Sequence, residues 1–258
     1  MRTTALLLLF AAACSPSSPK LGDDTGDITG PDEEELDALW GEATLEILTP
    51  RSGDFVPYGE ESDFEAVVYD ADGNPTDFAE ITWSSNEDEA WLGEGAAFVD
   101  DTLDVGTHAL TAIARLPNGD RLTYTVGGVL VQSAYAGTYT GSVSVDATYN
   151  EYQVGCSGSS TVVIDAYGEQ VEGGAGCLLS FQGFDIDLSF IITADNDDGD
   201  LEGDAAVDIF GFEYAMPMEG EVDPDGALFA TFSGDAYIEL AGELDLVRIT
   251  RDTGEGWD

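Results

Sequence analysis

Basic residues are nearly missing from this chain: 7 Lys and Arg stand against 53 Asp and Glu, for a formal net charge of -46. Lys20 is the only lysine and His108 the only histidine. A nucleic-acid partner is excluded on that ground, because neutralising phosphates takes a basic patch or stripe. A single histidine also rules out an HExxH zinc site, and no G-x-S-x-G elbow, P-loop or dinucleotide fingerprint occurs. Long apolar runs are scarce as well. The run Ala5–Ala13 falls well short of the roughly 20 apolar residues that a membrane-spanning helix needs. Cysteine appears at three positions, Cys14, Cys156 and Cys177, none of them in a CxxC pair or beside the histidine. Metal and redox roles for these thiols are therefore not expected, and no cofactor is expected.

What is present begins with an export signal. Met1-Arg2-Thr3-Thr4 carries one positive charge and leads into the apolar run, which ends on small residues directly before Cys14. That ending resembles the bacterial lipobox, with Ala11 at the place where the family usually has Leu. The resemblance implies removal of residues 1–13 and lipidation of Cys14, which would become the first residue of an anchored protein. Several acyl chains would hold it stably, since one alone is marginal. Ser15, rather than Asp, after the cysteine implies sorting to the outer membrane, with the chain facing the periplasm or the cell surface. The competing reading is ordinary secretion with Cys14 left unmodified.

With 43% hydrophobic residues and a mean hydropathy of -0.06, the chain has enough apolar material for packed cores despite its charge. Self-repulsion of so many carboxylates destabilises a compact state unless salt or divalent cations screen it. Saline or calcium-containing surroundings are expected for that reason. Cys156 and Cys177 are an even pair in an exported chain, and the default reading is a disulfide. Closing their 21-residue separation would stabilise by about 3 kcal/mol.

Residues 14–41 form a Ser-, Pro-, Gly- and Asp-rich stretch expected to be an extended, self-repelling linker behind the lipidated cysteine. Over 42–132 short alternating runs are separated by Asp72-Gly73-Asn74-Pro75 and Pro117-Asn118-Gly119-Asp120, the pattern of an all-β domain. Strands are predicted at 44–48, 64–69, 81–84, 107–116 and 121–131. Ile81-Thr82-Trp83-Ser84-Ser85-Asn86, followed by Val105-Gly106-Thr107-His108-Ala109-Leu110-Thr111-Ala112, resembles the bacterial immunoglobulin-like surface domains. The resemblance implies a β-sandwich with Trp83 in its core, packed on Val67, Leu110 and Ala112. Periodicity with Leu110, Ala112, Ala114 and Leu116 places His108 on the packed side of its strand, where an imidazole bonded to backbone is expected.

Residues 133–251 continue the alternation with no helical period. Phe184, Ile186, Leu188, Phe190 and Ile192 fall on one face, and Asp185, Asp187 and Ser189 on the other. Further strands are predicted at 137–146, 160–167, 204–210, 212–218, 227–232, 237–240 and 244–249. The links read as short turns, among them Asp197–Asp200, Asp223–Gly226 and Ala241-Gly242-Glu243, which implies antiparallel neighbours. The fold class expected is thus all-β: an immunoglobulin-like sandwich followed by a second antiparallel β domain. Periodicity leaves open whether that domain is a small barrel or a second sandwich. Residues 252–258 read as an acidic tail.

No residue is singled out as catalytic and none as a metal ligand. The acidic turns at Asp197–Asp200 and Asp223–Asp225 are the places best suited to Ca²⁺, although Asp-Gly turns arise for backbone reasons alone. Tyr149, Tyr152, Phe181, Phe212, Tyr214 and Tyr237 suit either cross-strand packing or a binding face, with packing the default. The function expected is structural, adhesive or binding work at the cell surface, without catalysis, toward a surface protein or glycan. Small-ligand or carbohydrate binding by the second domain is the alternative. A carbohydrate-active enzyme using paired carboxylates stands behind both.

Overall fold

The structure, a computed structural model, describes residue 38 and residues 40–77, 79–87, 91–209, 212–236 and 238–254, apart from the side chains of Phe181 and Ala236. Cys14 and the linker up to residue 37 lie outside the described residues, as do residues 255–258. The fold is all-β and falls into a sandwich and a closed barrel.

One sheet of the sandwich is built from β1 (Thr44–Thr49), β3 (Ser62–Tyr69), β4 (Pro75–Thr76) and β7 (Ala97–Asp100). The other runs β2 (Phe55–Pro57), β9 (Arg121–Gln132), β8 (Gly106–Arg115), β5 (Glu80–Ser85) and β6 (Trp91–Glu94), with β2 parallel to β9. Alternation dictates the core: Leu45, Ile47, Phe64, Ala66 and Val68 turn inward from one sheet and meet Ile81, Trp83, Leu110, Ala112 and Ala114 from the other. Trp83 is 1% exposed. It sits edge-on to Phe64 and Phe98, at 5.9 and 5.6 Å between ring centroids. Its indole N–H donates to the Gly95 carbonyl at 3.0 Å. Val67 does not join it, because in β3 the inward positions are the even-numbered ones and Val67 lies half-buried on the outer face. Trp40, which composition alone assigns to the linker, is buried in this same core, so the packed chain begins no later than that residue.

The barrel is an up-and-down meander of eight strands, each paired with its sequence neighbour and the last with the first. The strands are β10 (Gly137–Tyr149), β11 (Tyr152–Ile164), β12 (Gln170–Phe181), β13 (Phe184–Asp197), β14 (Asp200–Ile209), β15 (Phe212–Val222), β16 (Ala227–Ala236) and β17 (Ile238–Thr250). Closure leaves no sheet edge. Inward positions are apolar and fill the lumen: Tyr139, Val143, Ile164, Leu188, Phe190, Met216, Met218, Phe232, Leu240 and Leu244 are all buried in one cluster. Outward positions carry Ser144, Asp146, Glu172, Glu202, Asp204, Glu219, Glu243 and Asp245. This is the reverse of a membrane-spanning barrel, whose wall is apolar outside and polar within. Among the described residues, no helix is long and apolar enough to cross a membrane.

Two expectations from the sequence need correction here. Ala241-Gly242-Glu243 is not a link, and the two short strands expected around it are one, because β17 runs unbroken from Ile238 to Thr250. Gly242 faces inward under the ring of Phe232, so it is small for packing and not for turning. The strand at 170–181 goes unread in the sequence because Gly173, Gly174, Gly176 and Ala175 give it little apolar contrast; there the glycines admit close approach, and a Cβ at Gly173 would strike Val162 of β11.

Candidate functional site

The two ends of the barrel differ in kind. At one end the chain passes from the sandwich through residues 133–136, and this connection is bonded on both sides. Ser133 N–H donates to the Ala166 carbonyl at 2.8 Å, and Gly168 packs so closely on Ser133 that any side chain there would collide. Tyr139 Oη donates to the Tyr135 carbonyl at 2.6 Å. Arg248 donates from Nη1 to the Ala134 carbonyl at 2.6 Å and from Nη2 to the Pro224 carbonyl at 2.7 Å. Arg251 lies 3.6 Å above the Phe55 ring of the sandwich, and its carbonyl accepts from Gln132 Nε2 at 3.0 Å. Tyr58 of the sandwich meets Tyr167 of the barrel edge-on. Arg248 and Arg251 are the only basic residues after Arg121, and both are used in this junction. Desolvation there lowers the Arg251 pKa below its ordinary value, helped by the neighbouring Arg248. Burial likewise raises the Tyr139 pKa above 10.0, against the opposing pull of Arg248.

At the other end four hairpins finish, and among the described residues no further element covers them. Hydrogen bonding within each hairpin continues to its tip, yet three of the seams between hairpins stop short. The β11–β12 ladder ends at Gly158↔Cys177, β13–β14 at Phe190↔Val207 and β15–β16 at Met218↔Phe232. Pro217 stands one residue past the last of these seams, where the missing N–H removes a donor. The disulfide between Cys156 and Cys177 forms, with Cα atoms 5.7 Å apart. It crosses the β11–β12 seam at the point where hydrogen bonding ends, and so holds the hairpins together below the open mouth.

That mouth contains an apolar hollow of about 180 Å³ lined by Ala147, Tyr149, Tyr152, Val154, Leu179, Ile186 and Ile238. Around it stand exposed aromatics on three hairpins: Tyr149 and Tyr152 on the first, Phe184 at 74% exposure on the second and Phe212 at 63% on the third. Alternation reads Phe184 as core, but the strand outruns the packed lumen at that point and leaves Phe184 exposed. Tyr149 and Tyr152 face each other across the first hairpin and, like Phe212, are exposed outside the core, whereas Tyr214 packs on the core cluster. Tyr237 and the side chain of Phe181 lie outside what the structure describes. Carboxylates share the rim: Glu151, Asp185, Asp208, Glu213, Asp235 and Glu239 all fall in a tip or one of the two rungs behind it. Asp185 accepts from the Ser180 hydroxyl at 2.6 Å.

The other residues marked by the sequence have local employment. His108 is buried, with Nε2 donating to the Asp104 carbonyl at 2.8 Å and Nδ1 2.7 Å from Ser85 Oγ. The acidic turns are engaged within the protein: Asp223 accepts from Gly226 and Ala227 N–H of its own turn at 2.7 and 2.9 Å, and Asp198 accepts from Tyr135 Oη at 3.2 Å. Both turns belong to the junction end, where Arg248 already lies against the Asp223–Asp225 turn. Among the described residues no group of three or more His, Cys, Asp or Glu side chains is placed to hold a metal ion. A shallow groove on the barrel wall, about 420 Å³, collects Ser144, Asp146, Glu219, Thr231, Ser233 and Glu243, none of them paired as a nucleophile and base.

No family model matches the chain, and no curated protein matches it. Among solved structures, the fibronectin(III)-like modules of Clostridium thermocellum CbhA align with 12% identity and a TM-score of 0.30, over 67% of this chain and 92% of theirs. An overlap this loose reflects shared β-strand content and says nothing of function.

Proposed function

We propose that this protein is an exported, lipid-anchored binding module of the outer membrane, without catalytic activity, that holds the open mouth of its barrel away from the surface carrying it. The observation that supports this reading is the asymmetry of the barrel. One end is tied to the sandwich through backbone bonds and two arginines, and the other presents an apolar hollow ringed by exposed aromatics. Exposed aromatics grouped around a concavity cost solvation when unoccupied, and such patches mark interaction sites. A role inside the lumen is disfavoured, because the lumen is filled by its own side chains. The segment from Cys14 up to Trp40 and the sandwich then serve as tether and spacer, with Cys14 as the anchor.

The binding half of this reading is tested with an uncharged apolar fluorophore, N-phenyl-1-naphthylamine, titrated into the full chain. Saturable binding at one site is expected, and it should disappear in Val154→Phe, which fills the hollow from a half-buried position while leaving the circular dichroism spectrum unchanged. Absence of saturable binding, or binding indifferent to Val154→Phe, refutes the mouth as the site. The address is tested separately by labelling cells with a palmitate analogue: wild type should label in the outer membrane and Cys14→Ser should not.

A further inference from the structure

Resting on the reading of the mouth as a binding site, the charge around it points to one class of partner. Between Gly137 and Val247 there are 23 Asp and Glu and no Lys or Arg. Six of those carboxylates crowd the first rungs of the hairpins, beside Tyr149, Tyr152, Phe184 and Phe212. The barrel's own cations are far off: Arg248 pairs with Tyr139, ten positions down β10 from Tyr149. At about 3.3 Å per residue and a tilt of 35–45°, that is roughly 25 Å along the barrel axis. The screening length in physiological salt is about 8 Å. No Lys or Arg of the described barrel therefore lies within a screening length of this rim.

The hollow itself limits what enters. Among the described residues its lining offers no polar side-chain group except the hydroxyls of Tyr149 and Tyr152, too few to partner the several hydroxyls of a sugar. At about 180 Å³ it is smaller than the roughly 300–1,000 Å³ that drug-sized ligands occupy, and it suits a single large apolar side chain. A bilayer surface carries anionic headgroups and is repelled by the rim. We propose that the barrel mouth docks a cationic, amphipathic segment of a protein or peptide, seating one apolar side chain in the hollow while its Lys or Arg residues meet the surrounding carboxylates and the faces of the tip aromatics. Apolar anchoring fixes position, and the charges supply steering and the preference for basic partners.

The experiment follows the full chain by fluorescence anisotropy with three labelled peptides: an amphipathic Leu/Lys helix, a Ser/Lys peptide of equal charge, and a Leu/Glu helix of equal hydrophobicity. The Leu/Lys peptide is expected to bind at one site. The Ser/Lys peptide should bind at least about tenfold more weakly, as should the Leu/Lys peptide with either Phe184→Ser/Phe212→Ser or Glu213→Gln/Glu239→Gln protein. All four substituted residues are exposed, so folding is not at stake. Equal binding of the Ser/Lys and Leu/Lys peptides, or indifference to the Phe pair, means that the acidic surface attracts any polycation and overturns the proposal. Equal binding of the Leu/Glu and Leu/Lys helices overturns the charge preference. If N-phenyl-1-naphthylamine enters the mouth while the Leu/Lys peptide does not bind, this inference alone falls; if neither binds, the reading of the mouth falls with it.

Discussion

Gly242 offers a test in which the sign of the effect, and not only its size, is decided by tertiary packing. It lies inward on β17 between Leu240 and Leu244, opposite Phe232 of β16 and Val145 of β10. Its φ is not among the positive ones, so alanine meets no backbone strain there. At such a position Gly→Ala alone would stabilise by about 0.4–1 kcal/mol through the unfolded state. Here, however, a Cβ would stand 2.5 and 2.7 Å from Cε2 and Cε1 of Phe232, and closer still to Cζ. The ring cannot simply retreat, since it is buried and packed on Phe190 at 5.1 Å between centroids. Overpacking of this kind costs about 1–3 kcal/mol, which leaves a net loss of about 1–2 kcal/mol and a lower melting temperature by several degrees. The Phe232→Leu background removes the collision, so Gly242→Ala there should be neutral or mildly stabilising, a coupling of about 1–3 kcal/mol. Urea unfolding followed by far-ultraviolet circular dichroism reads all four members of the cycle. Trp40, Trp83 and Trp91 lie in the sandwich, so with Trp257 replaced by Phe tryptophan fluorescence serves as the internal control. A stabilised single mutant, or additive losses, would refute the inward ring over Gly242.

Further expectations concern the two cores and the seam. Trp83→Ala removes the largest side chain of the sandwich core and should cost about 3–5 kcal/mol in urea unfolding; a loss under about 1 kcal/mol would contradict its burial. Replacing Cys156 and Cys177 together by Ser should cost about 3 kcal/mol, measured as a lower urea midpoint of the barrel, because nothing else crosses the β11–β12 seam beyond Gly158 in hydrogen bonding. The buried Tyr139 has its pKa raised above 10.0 chiefly by desolvation, so the stability it contributes is complete below pH 10 and is lost as pH climbs through the folded-state value. Alkaline titration should therefore unfold the barrel of wild type at lower pH than that of Tyr139→Phe; identical titrations would show that this hydroxyl does not govern the transition.

Much of the architecture is written locally. A chain so poor in cations and helical period, with two-residue alternation and Asp-Gly turns, commits to antiparallel β structure, because alternation has meaning only when one face of a sheet is dry. Leu110 and Ala112 could be assigned to a core from their strand positions, Trp83 through the resemblance to immunoglobulin-like domains, and Cys156 with Cys177 as the even pair of an exported chain. Ambiguity begins where a residue's neighbours come from other strands. Whether 137–250 closed on itself or stacked as a second sandwich depended on the first and last strands pairing over Thr138–Thr148, which no short window of sequence contains. Gly242 looked like a turn because smallness has two uses, turning and yielding space, and only the ring of Phe232 shows which applies. Phe184 and Phe212 carried the period of core residues, yet they stand in water, because the lumen ends before the strands do. The mouth was hidden from the sequence for that reason: its hollow, its aromatic rim and its carboxylates come from four hairpins far apart along the chain, and barrel closure alone brings them to one end.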